Sequence, residues 1–240
     1  MTENLREFAL KHLTDYYDLL RLPSISAQKE ALPETAELLV KLFNELGATR
    51  VEKLGSFESA PAVFAEFKGN DPTKTVLFYQ HYDVQPPEPL EKWESDPFEP
   101  TIREGKLYAR GASDNKGELI SRLVLVKYFK ENGGLPVNVK FFVEGEEEIG
   151  SPHVAQIVQE NREKLAADAC IWEGGGKNYV DNYQIVGGMR GITVFDVETT
   201  TADIDLHSSL ASYAENAAWR LVRGLATLRD DTGKVLVEGF

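Results

Sequence analysis

The stretch TVLFYQHYDV, residues 75–84, begins as an apolar run and ends in an imidazole, a phenol and a carboxylate. Its β-branched and aromatic content predicts a strand, and the lack of alternation predicts one buried within the sheet of an α/β protein. In such sheets ligands bind beyond the carboxyl ends of the strands. His81, Tyr82 and Asp83 therefore stand where a site belongs.

Reading outward from this strand, the pattern alternates. Upstream, two helices are predicted up to about Leu46, with apolar residues at helical spacing (Leu5, Phe8, Ala9 and Leu13, then Leu38, Leu39, Leu42, Phe43 and Leu46) separated by RLPSIS. Gly47 stops the second helix. RVEKL and PAVFAEFKG then read as strands. Downstream, QPPEPLEKWESDPFEP, residues 85–100, holds five prolines and no periodicity, which predicts an ordered loop. A helix follows over 116–131, then the strand VNVKFFVEG, a helix over 152–164, and the strand ADACIW running into Glu173. Strands alternating with helices indicate a largely parallel α/β sheet. Composition shifts at VGGMRG, residues 186–191, which predicts a boundary dividing residues 1–186 from 187–240. Beyond it ITVFDVETTT reads as a half-exposed strand, SYAENAAWRLVRGLATLRD as a helix and GKVLVEGF as a strand.

The 240 residues are 42% hydrophobic, enough for a sizeable core, and the net charge is −13. A polyanion would be repelled, so nucleic acid and anionic membrane surfaces are excluded as partners, while small peptides and cations stay open. No apolar run reaches the ~20 residues a membrane helix requires, and the charged N-terminus lacks the pattern of a secretory signal, so the cytoplasm is expected. Cys170 is the sole cysteine. A transition-metal site here would have to be built mainly from His, Asp and Glu.

Four polar clusters fall at or just past the ends of expected strands or in the loops beside them: HYD, GASDNKG around Asp114, EGEEEIGS around Glu147 and Glu148, and IWEGGG with Glu173. One imidazole with several carboxylates suits zinc and related divalent ions. Two metals ~3.5–4 Å apart can clamp an attacking water and a polarised carbonyl, and an aspartate such as Asp114 is suited to bridging them. His81 would bind through one ring nitrogen while Asp83 accepts from the other. Glu147 and Glu148 are adjacent and should diverge, so one can ligate while the other reaches the water as general base. Taken alone, HYD is an ordinary strand end, EEE a solvated acidic loop and EGGG a flexible loop; their joint occurrence favours a single site.

In this order the motifs resemble the M20 family of zinc metallopeptidases, in its dipeptidase and carboxypeptidase branch. HYDVQP is similar to that branch's first metal motif, YARGASDNKG to its bridging-aspartate motif and EGEEEIGS to its base and ligand glutamates, with WESDPFEP between the first two. The resemblance implies an α/β/α sandwich catalytic domain and an α+β lid that mediates homodimerisation, begun here by residues 187–240. It implies two divalent ions, zinc before manganese or cobalt. His81 would ligate one ion, Glu173 the same ion, Glu148 the second, and Asp114 would bridge both. Asp83 would orient His81, and Glu147 would be the general base. DLHSS is similar to the lid segment whose histidine reaches a partner subunit's site, which makes His207 the oxyanion candidate. The implied substrate is a dipeptide or the C-terminal end of a peptide. The family pattern continues past residue 240 to a second metal-binding histidine that no remaining histidine here matches, so a fragment is expected. The rival expectations are an amidase that removes an acyl group from an amino acid, and a binding module without turnover.

Overall fold

The computed structural model describes residues 4–55, 60–188, 191–192 and 194–239. Helix α1 (Leu5–His12) is capped by the Asn4 side chain, which accepts from Arg6 N. A 3₁₀ turn and the short α2 (Asp18–Arg21) continue from it, and α3 (Leu32–Glu45) follows. Strands β1 (Arg50–Leu54), β2 (Ala62–Phe67) and β3 (Asp71–His81) come next. The proline-rich loop leads into a small hairpin, β4 (Thr101–Arg103) and β5 (Lys106–Tyr108). Then come α4 (Lys116–Glu131), β6 (Val137–Glu144), α5 (Val154–Glu160), α6 (Arg162–Leu165) and β7 (Ala169–Trp172). A minimal hairpin of β8 (Gly176–Lys177) and β9 (Tyr183–Gln184) precedes α7 (Ala217–Ala226).

The five-stranded sheet has the order β1-β2-β6-β3-β7. β3 pairs in parallel with β6 and β7, while β2 is antiparallel to both β1 and β6. Four of the strands thus run one way, with β2 against them. Two cores follow from the alternation of side chains across the sheet. Phe78 and Phe141 pack with Phe8, Phe43 and Leu123 of the α1, α3 and α4 layer, whereas their neighbours Tyr79 and Phe142 pack with Ile157 and Leu165 of α5 and α6. The result is an α/β/α sandwich. Each aromatic side chain withdrawn from water in these layers contributes about 1.5–3 kcal/mol.

This layering fixes the site. Because β3, β6 and β7 point the same way, His81, Glu144 and the residue after Trp172 emerge at one edge; His81 lies opposite Glu144, and Tyr79 opposite both Phe142 and Trp172.

Several elements differ from the sequence expectation. The first helix breaks at Leu13 into a 3₁₀ turn before α2. The helix expected over 152–164 divides at Asn161, whose side chain donates to the Ile157 carbonyl and ends α5. Residues 194–200 form no strand, because no described segment pairs with them. Helix α7 begins only where Asn216 caps it, accepting from Trp219 N, and the tail contributes a single bridge between Arg229 and Val235 instead of a strand. By its contacts the chain forms two compact units, Met1–Ile185 and Val186–Phe240. Met189 and Arg190 of the expected boundary, and Thr193 of the expected strand, lie outside the described residues.

Candidate metal centre

His81 closes β3 with a side chain that is 0% exposed. Its Nδ1 lies 3.1 Å from the Asp83 carbonyl and 3.3 Å from Asp83 Oδ1. A carbonyl only accepts, so Nδ1 carries the proton, and in the neutral ring Nε2 keeps its lone pair for a cation. That Nε2 stands 2.9 Å from Asp114 Oδ1 and 3.8 Å from Glu147 Oε2.

Asp83, also fully buried, does more than face the imidazole. Its two carboxylate oxygens accept the backbone N–H groups of Glu147 at 3.2 Å and Glu148 at 3.0 Å. One buried carboxylate therefore holds both the histidine and the start of the Glu147–Ile149 3₁₀ turn. Gly145 lets this turn approach, since a Cβ there would lie 2.2 Å from the Tyr82 ring, and Tyr82 is itself anchored by donating to the Pro61 carbonyl. Gln85 of HYDVQP reaches across to donate to the Glu148 carbonyl at 3.1 Å and carboxylate at 2.9 Å.

Asp114 precedes α4 and its side chain is 70% exposed, open to whatever binds beside His81. Asn115 Oδ1 faces His81 N at 3.4 Å while its Nδ2 donates to Glu118. Glu118 in turn accepts from Gly175 N, so the first turn of α4 is tied to the loop after Glu173. Glu173, at φ 43°, donates its N–H to the Tyr79 carbonyl. Beneath the site, Lys116 is fully buried and donates to the Leu22 carbonyl, and the Ser24 hydroxyl donates to the Tyr82 carbonyl, which locks RLPSIS under HYD.

The electrostatics match a site crowded with anions. Burial works against a charged His81, yet the Asp83 carboxylate and the nearby charges of Glu173 and Glu147 outweigh it and raise the pKa to about 9. Burial raises Glu147 and Glu148, with neighbouring carboxylates adding to the effect. Glu173 is pushed up to about 7, first by burial and then by Glu147, Asp114 and Glu118, while His81 opposes the shift. Carboxyl groups held this close favour protonation or a cation.

The donor set fits divalent metal. Among the described residues, His81, Glu147 and Glu148 offer ligand atoms that all lie within 4.8 Å of one another. The atoms are imidazole nitrogen and carboxylate oxygen, suited to zinc, manganese and cobalt. Asp114 and Glu173 lie outside that group of three: Asp114 Oδ1 contacts His81 Nε2 at 2.9 Å, and Glu173 is near enough to His81, Glu147 and Asp114 for their charges to shift its pKa. His207 belongs to the second compact unit, where its Nδ1 accepts from Ser209 N at 3.2 Å at the start of a 3₁₀ turn.

Sequence reasoning missed the residues that tie these groups together: Gln85, Asn115, Glu118, Glu144 and Ser151. All five sit inside or beside the quoted motifs, and that proximity is the one signal the sequence offers. The sequence leaves Glu144 outside the ligands, as either a supporting or a solvated neighbour, and at 3% exposed it is not solvated.

A family model described as peptidase family M20/M25/M40 matches residues 77–237. The Cys-Gly metallodipeptidase dug1 of Schizosaccharomyces pombe is 34% identical, over 91% of this chain and 49% of its own length. The Beta-Ala-His dipeptidase of Homo sapiens is 35% identical, over 82% of this chain and 39% of its own. Among solved structures, the M20 family metallo-carboxypeptidase Sso-CP2 from Sulfolobus solfataricus superposes with a TM-score of 0.82 at 38% identity, covering 95% of this chain and 52% of that one. The chain thus spans about half the length, or less, of these relatives.

Proposed function

The chain belongs to peptidase family M20/M25/M40, and from that membership we propose that its sheet-edge centre holds two divalent cations and hydrolyses peptide bonds in the complete protein. The observation that carries this reading is the convergence of His81, Glu147 and Glu148 within 4.8 Å. His81 and Glu173 would hold one ion, Glu148 the other, and Asp114 both, with zinc the first candidate. The names of the relatives favour dipeptides, Cys-Gly and β-Ala-His among them, or a C-terminal residue, as substrate class.

Bound cations supply polarisation of the scissile carbonyl and acidify water near neutral pH. Glu147 supplies the base: its carboxylate is 35% exposed, faces the His81 edge at 3.8 Å, and takes the proton of the attacking water before passing it to the leaving amine. Asp83 keeps His81 in the tautomer that presents Nε2 and keeps Glu147 on its turn. Residues 1–186 form the catalytic portion and 187–240 the start of a lid, whose His207 would stabilise the oxyanion in the partner subunit of a homodimer.

Metal analysis of the purified chain after exposure to zinc, with a dipeptide panel run on the complete protein, tests this. Glu147→Gln is expected to abolish turnover and leave the ions bound. A chain that retains no divalent ion after desalting overturns the proposal.

A further inference from the structure

β6 ends on Glu144, the in-register neighbour of His81 across the parallel pair. A carboxyl side chain is among the groups least often withdrawn from water, yet Glu144 is only 3% exposed. Its Oε1 accepts from the Tyr79 hydroxyl and, at 2.8 Å, from the Ser151 hydroxyl.

Both partners belong to segments that carry candidate ligands. Ser151 closes the turn bearing Glu147 and Glu148, its N–H donating to the Glu146 carbonyl at 2.9 Å. Tyr79 lies two residues before His81, its carbonyl accepts the Glu173 N–H at 3.0 Å, and its ring stacks on Trp172 with centroids 3.9 Å apart. Glu144 is therefore the point where β3, the glutamate turn and the end of β7 are joined by side chains. Asp83 holds the front of the turn through two amides, and Glu144 holds its back through Ser151. A turn fixed at both ends by buried carboxylates has little freedom to move Glu147 or Glu148 relative to His81.

We propose that Glu144, with Tyr79 and Ser151, is the positioning group that sets the spacing of the Glu147–Glu148 turn and Glu173 around His81. The assignment rests on the reading of the centre as a cation site. Glu144 acts through the two hydroxyls and touches no substrate. Partners of this kind, one shell behind the ligands, govern metal affinity by about 10- to 100-fold when removed.

Tyr79→Phe and Ser151→Ala each delete one hydroxyl and leave the packing in place. Zinc affinity of the 240-residue chain, measured by competition with a chromophoric chelator, is expected to fall by about tenfold or more in each. The unfolding midpoint of the chelator-treated proteins is expected to fall by about the few degrees that one lost hydrogen bond to a buried carboxylate costs. A purely structural role would give that fall and leave affinity intact, and that result overturns the proposal. If the parent chain binds no zinc, the cation reading itself fails, and amide hydrogen exchange in the chelator-treated chain decides the positioning role separately. Faster exchange over Glu147–Ile149 in both variants supports it, and exchange equal to the parent overturns it.

Discussion

At the scale of single residues, the site is organised by polar groups that were not read as site residues and by one whose reading was too narrow. His81, Glu147 and Glu148 stand out in the sequence because imidazole and clustered carboxylates at strand ends carry a chemical signature. Asp83 stands out only as a partner for His81, since its bonds to the Glu147 and Glu148 amides join residues 64 and 65 positions apart and leave no spacing to read. This double bond has a testable consequence. In Asp83→Asn one oxygen becomes an NH₂ group, so one of the two amides meets a donor and loses its acceptor. Leaving a buried N–H unsatisfied costs about 1–3 kcal/mol, and zinc affinity is expected to fall together with urea stability. Retention of both would show that the amide bonds do not hold the turn. Gln85→Ala offers a milder contrast, because the Glu148 N–H keeps its Asp83 acceptor and the residue loses only the Gln85 donor to its carbonyl at 3.1 Å and its carboxylate at 2.9 Å. A loss of about tenfold or less in zinc affinity is expected, with the same competition assay as the measure.

At the scale of elements, apolar runs made β2, β3, β6 and β7 legible, β1 was read from RVEKL despite its three charges, and α4 matched its expected limits, Lys116–Glu131. Strand order was not legible, because nothing local states that β6 enters between β2 and β3. That placement puts Phe141 in the middle of the larger core, with ring centroids 5.0 Å from Phe43, 5.3 Å from Phe78 and 6.0 Å from Phe67. Phe141→Ala should therefore destabilise the chain by about 3–5 kcal/mol in denaturant unfolding. Helix ends were the weaker part of the reading, since breaks such as the one at Asn161 depend on a side chain competing for a carbonyl. The 3₁₀ turn after α1 carries a pH dependence of its own. Burial pushes the Tyr16 phenol up to about 12, with the charges of Asp15, Glu131 and Glu45 adding to it. A folded pKa above the unfolded value of about 10 gives stability that is whole below pH 10 and is lost as pH rises toward 12. Tyr16→Phe should accordingly lose less stability than the parent between about pH 10 and 12, measured by urea unfolding at each pH.

At the scale of the whole molecule, the described candidate ligands lie in one compact unit and His207 in the other. A cation bound only by the folded chain stabilises it by mass action, by about 2.7 kcal/mol at a free concentration of 100 times Kd. The unfolding midpoint of the parent should therefore climb with zinc and return when a chelator is added. Glu148→Ala removes a proposed ligand and should flatten the climb, whereas His207→Ala, which alters only the second unit, should leave it unchanged. The two variants separate what one chain can do from what requires a partner. If His207→Ala flattened the zinc response as much as Glu148→Ala, the histidine would be a ligand within its own chain. The assignment of His207 to an oxyanion in a neighbouring subunit would then fall. If neither variant altered it, the climb would come from zinc held without Glu148, and Glu148 would not be a ligand of the ion that stabilises the chain.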